Sequence, residues 1–213
     1  MDVASLGKLK KLSPDNQWAR LPDWAAGSFK WKFSSTYYSF TYGMKSEDYS
    51  VDTRMAKSGE TRGWQKDRFG NIWEYSYKDY YTKTECEDTF SVSLVKDAEL
   101  LQVSGEKFIM RFVAVRAIVS KYTQRIIATR QTESIQTYTP YAENIVKING
   151  SVKSFDEDGN PLTLEKVLTL EQRILPYQSR DSYRGQNMRA LFAEYLVSHG
   201  LASSVPPSIK TSR

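Results

Sequence analysis

From Phe29 to Leu175 the apolar residues recur mostly at every second position, and no other feature limits the fold of this chain so tightly. A period of two sends successive side chains to opposite faces, which suits a half-buried strand and not a helix. The pattern is densest in "GSFKWKFSSTYYSFTYG", residues 27–43. Phe29, Trp31 and Phe33 share one parity, with Lys30 and Lys32 opposite, whereas Tyr38, Phe40 and Tyr42 fall on the other. One extra residue in a strand produces such a switch, so the spacing predicts a long first strand with a β-bulge at Ser34-Ser35.

Further extended segments follow. A strand is expected over Tyr49–Ala56 and another piece from Trp64, with Gly70-Asn71 closing a hairpin by supplying positive φ. Trp73, Tyr75, Tyr77 and Tyr81 then alternate with Glu74, Ser76 and Lys78. Two short strands are read over Thr89–Lys96 and Glu99–Ser104. Residues 107–120, "KFIMRFVAVRAIVS", are apolar on both parities, and their β-branched content favours a central strand over a buried helix. Tyr122–Thr139, ended by Pro140, is the next strand; Ile145–Phe155 and Leu162–Leu175 flank the turn signal "DEDGNP". That segment also carries clustered acids, but the flanking strands suit a hairpin, not a calcium loop.

Only near the end does the period change. Met188, Leu191, Phe192, Tyr195, Leu196 and His199 form a helical stripe, which puts His199 on the core side, and Gly200 is placed to cap it. The expected fold is therefore all-β and mainly antiparallel: one β-barrel or strongly curved sheet of about eight to nine strands with a C-terminal amphipathic helix. Residues 1–16 read as a leader, 17–200 as one domain with its helix over 184–199, and 201–213 as a tail.

Composition narrows the function classes. Thirty basic against 25 acidic residues give a net charge of +5, and the tight basic cluster is Lys8, Lys10 and Lys11. That pattern lacks the basic face of a nucleic-acid binder. Cys86 is the single cysteine, so no intramolecular disulfide forms. No stretch has the length of a membrane span. The compartment stays open, with a bacterial periplasm or envelope setting, after loss of an export signal, preferred to the cytoplasm.

Catalytic signatures are missing. One His and one Cys leave no nucleophile–base pair and too few ligands for a zinc site, and no phosphate-cradling or dinucleotide fingerprint occurs. The sequence implies no cofactor, no metal and no enzyme activity. Binding remains. The candidate pocket is Phe29, Trp31, Phe33, Trp73, Tyr75 and Tyr77, rings that would either line a barrel mouth or fill the barrel.

"LPDWAAGSFKW", a turn-like lead-in followed by Gly and an aromatic on the first strand, resembles the N-terminal signature of lipocalin-like (calycin) β-barrels. The meander and late helix are similar to that plan. The family's Gly-x-Trp stands here as Gly27-Ser28-Phe29, with Trp31 two places on. The resemblance implies that Trp24, Gly27 and Arg173 form the family's structural signature, with Arg173 standing by position for the Arg near the last strand that packs across the family's Trp. It also implies a non-enzymatic protein that binds a small hydrophobic or amphipathic ligand. The alternative is an interaction or assembly subunit that docks a protein partner, or a second copy of itself, through aromatic sheet faces and tails.

Overall fold

The computed structural model describes residues 18–43, 47–48, 52–54, 59–76, 80–85 and 87–207. The expected leader, Tyr77 and Cys86 lie outside them, as does most of the strand read over Tyr49–Ala56. In chain order the strands are β1 (Trp18–Leu21), β2 (Gly27–Thr41), β3 (Glu47–Asp48), β4 (Asp52–Arg54), β5 (Gly59–Arg62), β6 (Gln65–Lys66), β7 (Ile72–Tyr75) and β8 (Tyr80–Glu85). There follow β9 (Thr89–Val103), β10 (Phe108–Ser120), β11 (Ile126–Ala142), β12 (Ile145–Phe155), β13 (Pro161–Leu175), β14 (Ser182–Tyr183) and β15 (Gln186–Asn187). One α-helix, α1, spans Met188–Ser198.

The main sheet is antiparallel and runs β3-β2-β13-β12-β11-β10-β9-β8. On the outer side of β2, β5 pairs with Gly27–Lys30, β4 with Ser34–Thr36 and β3 with Ser39–Phe40. These three pieces act as one interrupted strand. The first strand of the meander thus lies between the second and the last, which is how a barrel begins to close. Among the described residues the ladder has one gap in the ring, between this interrupted edge and β8, so the sheet is a curled half-barrel.

The curl is visible in the core. Phe29 on β2 and Val95 on β9, with β13, β12, β11 and β10 between them, belong to one buried cluster with Leu21 and Ala25. Leu21 and Ala25 come from β1 and the 3-10 turn Asp23–Ala25, which lie inside one end of the half-barrel. Residues directly opposite in an antiparallel ladder point to the same face. The inward row is therefore followed from strand to strand through Phe108↔Tyr138, Tyr138↔Ile148 and Ile148↔Thr169.

β2 carries two bulges, but not at Ser34-Ser35. Trp31 pairs with Glu171 and Phe33 with Leu170, leaving Lys32 extra; Thr36 pairs with Val167 and Tyr38 with Lys166, leaving Tyr37 extra. The first bulge turns Phe33 outward and the second keeps Tyr38 and Phe40 outward. Similarly, the two strands read over 89–104 are the single strand β9, whose parity breaks at the extra residues Lys96 and Leu101.

β1, β7 and β6 form a small second sheet on which α1 packs. Trp18 and Tyr75, opposite each other in register, face the helix with Phe192, while Ala19 and Leu21 on the alternate parity join the half-barrel core. β1 thus ties two cores together. The Asn187 side chain caps α1 by accepting from the Ala190 N–H at 3.1 Å. The helix begins at Met188, later than expected, because Arg184 (φ 48°) and Gly185 (φ 78°) turn the β14–β15 hairpin instead. His199 caps the helix in an exposed position, its Nδ1 beside the Tyr195 carbonyl, and so is not on the core side. Residues 201–207 do not form a free tail: Ser204 is buried and its carbonyl accepts from the Arg68 N–H.

The turns Asp67–Asn71 and Asp156–Asn160 share one design. In each, one Asp oxygen accepts from two backbone N–H groups, the Asn amide donates to the other oxygen, and Gly70 or Gly159 takes positive φ. Burial by itself would raise the Asp67 pKa, but these bonds and one from Trp73 outweigh it and hold the carboxyl below its ordinary value. Among the described residues no helix is long and apolar enough to cross a membrane.

Candidate functional site

The two ends of the half-barrel differ sharply inside. At the end occupied by β1 and the 3-10 turn, the inward positions are large. Phe108 and Tyr138 stack at 4.1 Å between centroids, and Trp24 stacks on Phe108 at 5.8 Å. The Trp24 indole N–H donates to the Gly105 carbonyl at 2.7 Å, fixing the turn against the β9–β10 loop. Arg173 reaches from the last strand across Phe29, its guanidinium 5.6 Å from the ring centroid, and donates to the Asp23 and Trp24 carbonyls at 2.9 and 2.6 Å. Gly27 makes this approach possible. Its φ is +131°, and a Cβ there would lie 2.6 Å from the Leu175 carbonyl oxygen. Trp24, Gly27, Phe29 and Arg173 are thus brought together at the closed end.

Below the Phe29 ring lies a buried ion pair. The Arg62 guanidinium sits 3.9 Å from the Phe29 centroid, donates through Nε to the Ala25 carbonyl and through Nη1 to Glu171 Oε2 at 2.8 Å. It is also paired with Glu60. Glu171 is 0% exposed and Arg62 6%. Arg62 Nη2 and Glu171 Oε1 are enclosed and have no hydrogen-bond partner within the protein. Burial raises the Tyr138 phenol pKa well above its ordinary range, only partly offset by Arg62. Burial lowers the pKa of Arg173, and the nearby Arg62 charge adds to this.

Beyond these rings most inward residues are small, although the same parity also carries Glu165 on β13 and the opposed Arg116 and Arg130 on β10 and β11. On β2 they are Ser34, Thr36 and Ser39, opposite Thr169, Val167 and Glu165 of β13. β12 contributes Gly150, Val152 and Ser154, β11 Ser134 and Thr132, β10 Ala114, and β9 Val95 and Ser93. The Ser34 and Thr169 hydroxyls are 2.9 Å apart and mark the boundary. Ser93, Val95, Ala114, Thr132, Ser154 and Thr169 of this row are buried, whereas Ser34, Thr36, Ser39, Ser134, Gly150 and Val152 are half-buried. Two hollows also flank Trp24 on the closed end, of about 270 and 500 Å3, one floored by Arg173 and the other by Arg20 and Val103.

The six rings expected to form a pocket do not converge. Phe29 is in the closed-end core, and Trp31 shares its parity opposite Glu171. Phe33 faces outward beside Leu170, which follows from the bulge at Lys32. Trp73 and Tyr75 pack under α1 in the second core, because β7 pairs with β1 and not with the main sheet. Tyr77 lies outside the described residues. The hydroxyl-lined row was missed because Ser and Thr on alternate positions read as a solvent face; the parity of Thr132, Ser134 and Gln136 was its only signal.

A third buried group lies in the small sheet. Glu74 accepts from the Gly63 N–H and the Trp64 indole, and Arg180 lies 3.4 Å over the Trp64 ring. Burial raises the Glu74 pKa despite these bonds. The cluster pins residues 177–181 to the sheet, with Gln65 donating to the Arg180 carbonyl at 2.7 Å. Among the described residues no three His, Cys, Asp or Glu side chains are grouped to hold a metal ion. Comparisons of the chain with protein-family models, with curated proteins and with solved structures find no match.

Proposed function

We propose that this chain is a non-enzymatic binding protein that holds an elongated amphipathic molecule along the concave face of its half-barrel. The observation that carries the reading is the change in inward side-chain size. Strands that bring Phe29, Phe108 and Tyr138 together at one end present Ser34, Ala114 and Ser134 at the other. The lining mixes methyl and hydroxyl groups, as in Val167 beside Thr169, which suits a guest with an apolar body and few polar atoms. The cluster of Trp24, Gly27, Phe29 and Arg173 supports a lipocalin-like relationship, in which Phe29 stands for the family's Trp. A periplasmic or envelope setting accords with such a carrier. The test is titration with N-phenyl-1-naphthylamine, a neutral apolar fluorophore. Saturable enhancement that long-chain alcohols or acids compete away is expected; no enhancement at micromolar protein overturns the reading.

A second reading, docking of a protein partner or a second copy, rests on the outward face. Leu164, Leu168 and Leu170 of β13 lie there beside Phe33 and Phe40 of β2, and all are only half-buried. Light scattering of the wild type and of Leu168→Lys separates the two: a monomer in both leaves the trough as the functional surface.

A further inference from the structure

We infer that the buried Arg62–Glu171 pair receives the polar head of the guest and that it selects a neutral hydroxyl or primary amide over a carboxylate. The inference rests on the trough reading and specifies its ligand class. Two atoms at the Glu171 end of the inward row of β13 carry it: Arg62 Nη2, a donor, and Glu171 Oε1, an acceptor, both enclosed and both without a partner in the protein, as is Arg173 Nε across the Phe29 ring. Polar atoms buried in this way are rare in folded proteins and call for an occupant that completes them. An occupant that satisfies both must accept one hydrogen bond and donate another. A hydroxyl or a primary amide does so; a carboxylate only accepts, and an ether cannot donate.

Charge points the same way. Arg62 and Arg173 are balanced by Glu60 and Glu171 around the same Phe29 ring, so the cluster offers an anion no net attraction. The route also fits. The next inward residues above Glu171 and Trp31 are Thr169 and Ser34, whose hydroxyls continue the polar lining up the trough. Trp31, half-buried and opposite Glu171 in register, is the aromatic ring beside the pair on β2.

The experiment competes 1-dodecanol, dodecyl methyl ether and dodecanoate against N-phenyl-1-naphthylamine, on the full chain and on Glu171→Gln. The wild type should bind the alcohol about tenfold more tightly than the ether, the penalty of leaving a buried acceptor unmet. Glu171→Gln presents an amide and removes one negative charge; it should lose the alcohol preference and bind dodecanoate more tightly than the wild type does. Equal affinity for alcohol and ether on the wild type means that water alone completes the pair, and overturns the inference while leaving the trough reading intact. The alcohol–ether comparison uses the wild-type chain, so it decides the matter even if Glu171→Gln fails to fold. Absence of any probe binding overturns both.

Discussion

The closed and open ends of the half-barrel are built from the same strands, yet they use their inward positions for opposite purposes. Along β10 the inward residues pass from Phe108, Met110 and Phe112 to Ala114, and along β11 from Tyr138 and Gln136 to Ser134 and Thr132. At the closed end, rings and aliphatic chains of the sheet and of the lead-in segment remove one another from water, the dominant source of stability in a fold of this size. At the open end the same backbone ladder carries mostly small side chains, which bury less apolar area each, together with the inward Arg116, Arg130 and Glu165. On the proposed reading, stability is concentrated in the closed end and the open end is the half that takes the guest. Arg173 and Trp24 fix the lead-in turn to β13 and to the β9–β10 loop.

This contrast can be broken most forcefully at the ion pair. Arg62→Met leaves Glu171 buried without its cation and should lower stability by about 3–5 kcal/mol, read as a shifted urea midpoint at unchanged slope. The double variant Arg62→Met/Glu171→Leu should recover most of that loss, because an apolar pair needs no solvation. If the single variant is nearly as stable as the wild type, the closed end is not the stabilising half. Gly27→Ala comes next. With φ at +131° and the Leu175 carbonyl 2.6 Å from the new methyl, it should cost about 1–3 kcal/mol.

Smaller effects sharpen the same comparison. Tyr138→Phe removes a 2.6 Å bond from the phenol to Gln136 and should cost about 1 kcal/mol at neutral pH. Its pH signature is more specific. The folded pKa lies above the ordinary value of 10, so the contribution of Tyr138 is complete below pH 10 and is lost as pH rises toward the folded value. The wild type should therefore lose stability above pH 10 more steeply than Tyr138→Phe does; parallel alkaline curves for the two proteins would contradict its burial. At the open end, Ser134→Ala should change stability by less than about 0.5 kcal/mol while altering probe affinity.

Much of this architecture could be read from period-two alternation. The strand expected over Ile145–Phe155 has the bounds of β12, and the central strand over 107–120 is β10 within one residue at its start. The turns at Gly70-Asn71 and in "DEDGNP" were legible because Gly, Asn and Asp have local reasons to be there. The facing of β2 was not. Its bulges at Lys32 and Tyr37 are set by pairing with β13, more than a hundred residues later, and a phase switch in the sequence does not say where the extra residue sits. Nor does parity say which sheet a strand joins: Trp73 and Tyr75 alternate as well as any pocket wall but belong to β7 of the small sheet. The Arg62–Glu171 pair gave no signal, since an Arg and a Glu at such separation acquire meaning only once β5 and β13 flank β2.

The most direct test of room at the open end is to fill it. Val167→Trp places an indole inward between Thr36 and Gly150, where the wild type has small neighbours. If the trough is there, the variant should keep its urea midpoint to within about 1 kcal/mol and lose N-phenyl-1-naphthylamine binding. If the interior is instead packed by its own side chains, overfilling should cost about 1–3 kcal/mol or more. A marked loss of stability, or probe binding that survives the substitution, would contradict the trough.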